Sequence, residues 1–162
     1  MAWHLGANHA GGYSYRLCKM PEGGIGDLTE ECFQQNPLDF VGDIQWIEYQ
    51  KDKNTGFRTE LEALQTTEGT HPAGSMWRAN QILPKKEEGG SSEYGSGTII
   101  DSVSVPSDLE PGQYVVSFRW VTLKLPILMW STFIPCFRWD SKCSPQVWGS
   151  CATVQIVSSN VK

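Results

Sequence analysis

The chain has 162 residues, the length of one domain able to bury a real core. It is 40% apolar and 19% charged, the balance of a soluble globular protein. Its 18 acidic and 13 basic residues leave a formal charge of -5, which argues against a nucleic-acid footprint, since that needs clustered Lys and Arg.

The N-terminus has neither a basic n-region nor an apolar h-region, so it is not expected to be a secretory signal. Trp3 follows Met1 so closely, with the Gly11-Gly12 turn soon after, that the chain is expected to open inside a domain, in the back half of a strand. From there the hydrophobic period is mostly two. Tyr13 to Leu17 alternates, Ile44 to Tyr49 is an aromatic strand candidate, and Phe57, Thr59, Leu61 and Ala63 alternate with Arg58, Glu60 and Glu62. Glu60 to Leu64 also fits a helix. Ile99 to Val105, Tyr114 to Trp120 and Ala152 to Ile156 alternate in the same way. Asp27 to Gln35 is the main helix candidate, with capping-box spacing at Asp27-Leu28-Thr29-Glu30, although a turn in a long loop fits as well. Lys85 to Gly97 reads as a mobile surface loop, and Pro111-Gly112 as a tight turn feeding the strand that Tyr114 opens. The pattern predicts an all-β, antiparallel β-sandwich with long loops and little helix.

Val121 to Phe137 (VTLKLPILMWSTFIPCF) departs from this pattern. Lys124 is its only charge. It is short of the roughly 20 apolar residues of a membrane-spanning helix, and Pro126 and Pro135 break it further. Phe118-Arg119-Trp120 recurs as Phe137-Arg138-Trp139, and deleting Val121 to Trp139 joins strand to loop smoothly. The expectation is therefore one incomplete sandwich domain over 1–162 with an aberrant insert at 121–139, from a retained intron or a gene-model error. The alternative is a genuine buried strand pair with a chance repeat. Five cysteines are present, Cys18, Cys32, Cys136, Cys143 and Cys151. The odd count leaves one over, and Cys136 lies in the suspect stretch.

Trp3-x-x-x-Ala7-x-His9 followed by Gly11-Gly12-Tyr13-x-Tyr15-Arg16-Leu17-Cys18 resembles the central strand of lytic polysaccharide monooxygenases, also described as chitin-binding type-4 domains. Leu28-Thr29-Glu30-Glu31-Cys32-Phe33, Gly69-Thr70 with Pro72, Trp77-Arg78 and Cys143-x-Pro145-Gln146-Val147-Trp148-x-x-Cys151-Ala152 extend the likeness along most of the chain outside the suspect stretch. The resemblance implies an immunoglobulin- or fibronectin-like sandwich, secreted and monomeric, that uses one copper ion to cleave insoluble chitin or cellulose oxidatively, with no membrane or nucleic-acid partner. Copper sits in a histidine brace, whose amine and imidazole nitrogens suit the metal and leave positions open for an oxygen species.

Carried over residue by residue, His9 matches the second brace histidine and Ala7 the small residue beside the copper's open position. Trp148 falls where the family places an axial Tyr or Phe. Gln146 matches a polar position that supports the copper-oxygen species. The first brace histidine must be the mature N-terminal residue, and no residue here matches it. His4 lies in the same predicted strand as His9 and is not terminal. The resemblance also implies the disulfide pairs Cys18–Cys32 and Cys143–Cys151, which suit an oxidising, extracellular location. Trp46, Trp77 and Trp120 read most simply as core residues, and His71 as a solvated loop residue. Two alternatives stand beside the monooxygenase: a non-catalytic polysaccharide-binding sandwich, and a mis-spliced product without function.

Overall fold

The computed structural model describes residues 1–6, 8–49, 57–81, 97–122 and 146–157. The period-two segments form strands. In chain order these are β1 (Ala2–Leu5), β2 (Gly12–Lys19), β3 (Pro37–Leu38), β4 (Ile44–Tyr49), β5 (Phe57–Glu62), β6 (Gln65–Thr66), β7 (Trp77–Ala79), β8 (Gly97–Ile100), β9 (Gly112–Thr122) and β10 (Gln146–Ile156), with one helix, α1 (Glu30–Gln35), between β2 and β3. The fold is all-β and antiparallel, as the alternation predicts. The helical option at Glu60 to Leu64 is not taken, because β5 pairs along its length with β4.

Two sheets result, one ordered β1-β8-β4-β5 and the other β10-β9-β2-β7-β6, with β3 pairing β2 beside β7. Leu5, Ile47 and Ile99 from the first sheet meet Tyr13, Tyr15, Leu17, Tyr114, Val116 and Trp120 from the second in one buried cluster. This is the face-to-face packing of a sandwich. Trp3 lies across its aromatic part, with ring centroids 5.1 Å from Tyr13, 4.9 Å from Phe118 and 5.8 Å from Trp120. Tyr114 opens the buried face of β9, and its hydroxyl donates to the Glu110 carbonyl at 3.0 Å, fixing the corner that Pro111 and Gly112 turn.

The core is not wholly apolar. Arg78 and Asp101 are fully buried and form an ion pair at 2.9 Å. Asp101 also accepts from the hydroxyls of Tyr13 (3.1 Å) and Tyr15 (3.0 Å). Arg78 donates to the carbonyls of Ile44 and Gly42 and to Gln65 Oε1, and its guanidinium lies 4.4 Å from the Phe40 ring centroid. Residues of both sheets therefore meet at one carboxylate. Burial pushes the Asp101 carboxyl above its ordinary value, even though Arg78 and both tyrosines favour its ionised form. Burial, with the Asp101 charge, also raises both tyrosine hydroxyls, so they stay protonated donors.

α1 is shorter than the sequence suggests. Ile25–Asp27 forms a separate 3-10 turn, and Thr29, not Asp27, is the N-cap, its Oγ1 accepting from the Cys32 amide at 3.3 Å. The helix covers the outer face of β2. There Cys18 and Cys32 form the expected disulfide, with Cα atoms 5.5 Å apart, over Phe33 and Val115. Glu30 accepts from both Arg16 and Arg119 at 2.6 Å, and Arg16 reaches Ser117 as well. Glu30 is thus more than part of a capped turn: it ties the helix to two strands.

Val121 and Thr122, the first residues of the suspect stretch, continue β9 and pair with Val147 and Gln146. The rest of that stretch, Cys136 included, lies outside the described residues, as do all of the Lys85 to Gly97 loop except Gly97 and the Ser158 to Lys162 tail.

Two predictions follow from this packing. Asp101→Asn leaves the Arg78 charge buried without its counter-ion and should cost about 3–5 kcal/mol in urea unfolding. Asp39→Asn, at an exposed residue, should stay within about 0.5 kcal/mol. At Glu30, burial works to raise the carboxyl, but the Arg16 hydrogen bond and charge, with Gln34 and Arg119, outweigh it and hold the group below its ordinary 4.5. A depressed folded value stabilises the fold above the ordinary value and ceases to do so as pH falls through the lowered one. The gap in melting temperature between wild type and Glu30→Gln should therefore be present at neutral pH and close as the pH drops below about 4.5.

Candidate functional site

Between β1 and β2 the chain turns sharply, and His9 sits on that turn. β1 ends at Leu5, so His4 and His9 do not share a strand as expected. The extension breaks because Ala10 (φ 56°) and Gly11 (φ 85°) both adopt positive φ, which a non-glycine residue does only when its surroundings impose it. Here the Asn8 side chain imposes it. Its Oδ1 accepts from the Ala10 amide at 2.7 Å, an Asx turn, and its Nδ2 donates to the Gln81 carbonyl at 2.7 Å. Trp120 Nε1 donates to the Ala10 carbonyl at 2.9 Å, and the Asn80 amide donates to the Gly11 carbonyl at 2.8 Å. The imidazole of His9 is held at the surface beside the Trp120 ring, with centroids 6.1 Å apart and planes 31° from parallel.

The register carries β10 to the same end. Trp148 lies directly opposite Trp120, and Gln146 opposite Thr122. His9, Gln146 and Trp148, far apart in sequence, therefore converge on one end of the six-stranded sheet through Trp120. Trp120 is a core residue as predicted, but its indole also shapes the His9 turn, which sequence reasoning missed. Ala7 lies outside the described residues.

Cys151 is free and exposed, and Cys143, the partner expected for it, lies outside the described residues. Gln146 and Trp148 belong to a strand rather than a bridged loop. The extended backbone carries Cys151 about 17 Å from Gln146, the first residue of β10.

The described residues do not compose a copper site. No group of three His, Cys, Asp or Glu among them is placed to hold a metal. His4 points from the outer face of β1, opposite Thr98. The amino group of Met1 donates to the Asp101 carbonyl at 2.6 Å, at the far end of β1 from the His9 turn.

A second surface lies on the outer face of the four-stranded sheet. Gln45 and Ile47 point inward and are buried, so Trp46 and Glu48 point outward. Trp46 is half-buried and does not join the core, which corrects the expectation for it. Register places Glu60, Trp46, Ile100 and Ala2 in one row across the sheet, and Arg58, Glu48, Thr98 and His4 in the next. Arg58 and Glu48 form an exposed ion pair at 3.4 Å. The result is an outward strip of Trp46, Ile100 and Ala2, bordered by carboxylates, a guanidinium, a hydroxyl and an imidazole. Counting residues from buried Ile47 would have found it, but with Ile44 and Ile47 of opposite parity the sequence alone does not say which face is inside.

The chain matches no known family model, no curated protein and no solved structure.

Proposed function

We propose that the chain is a non-catalytic polysaccharide-binding sandwich of extracellular location, taking chitin or cellulose on the outer face of its four-stranded sheet. The observation that carries this reading is the outward, half-buried Trp46 on that face, in register with Ile100 and Ala2. A pyranose ring offers C–H bonds on its flat faces and hydroxyls on its rim. The C–H face lies against an indole and excludes water, while the rim needs donors and acceptors at the border. Arg58, Glu48, Thr98, Glu60 and His4 supply both kinds. The Cys18–Cys32 disulfide suits an oxidising compartment.

Depletion assays on insoluble chitin and cellulose test the reading. Wild type should bind at least one of them, and Trp46→Ala should lose at least about tenfold in affinity, since a central Trp anchor is worth upwards of about 1.4 kcal/mol. Val105→Ala, at an exposed apolar residue off the sheet face, should bind as wild type. Unchanged binding by Trp46→Ala would sink the proposal.

The copper monooxygenase is the second reading, and the strained, four-times-anchored turn that presents His9 is what favours it. Among the described residues His9 would be one ligand, and the others must come from elsewhere. Copper(II) titration followed by paramagnetic resonance separates the two readings. The binding module should give no tight, saturable signal. A tight signal lost in His9→Ala would favour the monooxygenase.

A further inference from the structure

β10 ends the six-stranded sheet, and among the described residues its outer edge has no partner strand. Such an edge presents a row of unpaired N–H and C=O groups, and proteins that must stay apart blunt it with charge, proline, bulges or a covering segment. Pro and charged side chains are absent from Gln146 to Val157. Its eleven residues pair with β9 without a bulge, in unbroken register from Gln146↔Thr122 to Ile156↔Gly112. Gly149, Ser150, Cys151, Ala152 and Thr153 are consecutively exposed, so among the described residues no segment covers the middle of the strand on either face. All five side chains are small, leaving the backbone accessible to another strand.

The middle residue of Gln146–Ile156 is Cys151, which is free and exposed. A two-fold axis through it would set Ser150 against Ala152, Gly149 against Thr153 and Trp148 against Val154 of a second copy. No pair in that register brings like charges together. The two Cys151 residues would face each other directly. Opposed residues of antiparallel strands have Cα atoms about 4.5–5.5 Å apart, within the roughly 4.4–6.8 Å that a disulfide spans.

We propose that β10 is a dimerisation edge. Two copies of this chain pair β10 to β10 in antiparallel fashion about Cys151, and their six-stranded sheets become one continuous sheet. The inference is independent of the glycan reading and replaces the expected monomer. Cys151 then acts as a lock. With a small-molecule disulfide as oxidant, one Cys151 thiolate attacks it to give a mixed disulfide and release one small thiol. The second Cys151 thiolate attacks the mixed disulfide and releases the other thiol. Two cysteine thiols are oxidised, and one small-molecule disulfide is reduced to two thiols.

Light scattering of the full chain during gel filtration, under reducing conditions, should give twice the chain mass, falling to the monomer on dilution. Oxidised glutathione should convert the dimer to a covalent one joined at Cys151, and Cys151→Ser should lose the covalent link but keep the non-covalent dimer. Ser150→Lys with Ala152→Lys sets like charges opposite each other and should give monomers. Ser150→Lys with Ala152→Glu sets opposite charges across the axis and should restore the dimer. Circular dichroism checks that each variant keeps its strands, and dilution-dependent amide protection confined to β10 gives the same answer in wild type without substitution. Monomer mass at every concentration would overturn the proposal. So would a dimer that tolerates the like-charge variant, or a Cys151 found bonded to Cys143.

Discussion

The buried pair of Arg78 and Asp101 governs the arrangement of the two sheets. A guanidinium and a carboxylate withdrawn from water are costly unless geometry and further hydrogen bonds compensate. Here β7 supplies the cation, the residue after β8 supplies the anion, and β2 supplies two hydroxyls to that anion. The carbonyls of Ile44 and Gly42, at the start of β4, and Gln65 Oε1 of β6 accept from the guanidinium as well. An apolar core tolerates sliding of one sheet over another, because its attraction has no direction. A fully satisfied polar centre does not, since any shift strands a charge. The relative position of the sheets, and with it both candidate surfaces, follows from this centre.

Those surfaces are exposed for different reasons. The His9 turn lies at an end of the sandwich, where backbone strain is held by Asn8, Asn80 and Trp120. The Trp46 face is regular sheet whose outward residues happen to include a large aromatic ring. The first suits a reactive or metal-binding group that must keep one orientation, and the second suits a long, flat, repetitive ligand that needs area more than precision. One sandwich carries both without conflict, because strand alternation separates inner from outer residues at every position.

Much of the architecture was legible in the sequence, because period two is a direct imprint of a sheet with two different faces. The alternation at Tyr13–Leu17 and Tyr114–Trp120 gave the two long central strands, and the Cys18–Cys32 spacing seen through the family resemblance gave the helix its anchor. Whatever depends on contact between distant segments was less legible. Arg78 and Asp101 look like ordinary surface residues until β7 and β8 are brought to opposite sides of the core in different sheets. Trp46 is assigned to the wrong face because its strand holds isoleucines of both parities. His4 and His9 seem to share a strand because nothing in local propensity announces positive φ at an alanine. The cross-strand partners of Cys151 become visible only once the register of β9 and β10 is known.

The pairing of β1 with β8 matters before the protein is ever folded. Trp3 lies opposite Ile99, so β1 finds its partner only after the intervening chain has been made. At about 5–20 residues per second this is a wait of roughly 5–20 s. During that time the indole of Trp3, later enclosed by Tyr13, Phe118 and Trp120, has no completed sheet to bury it. Slowing translation upstream of β8 would lengthen that exposure without changing any contact of the finished molecule.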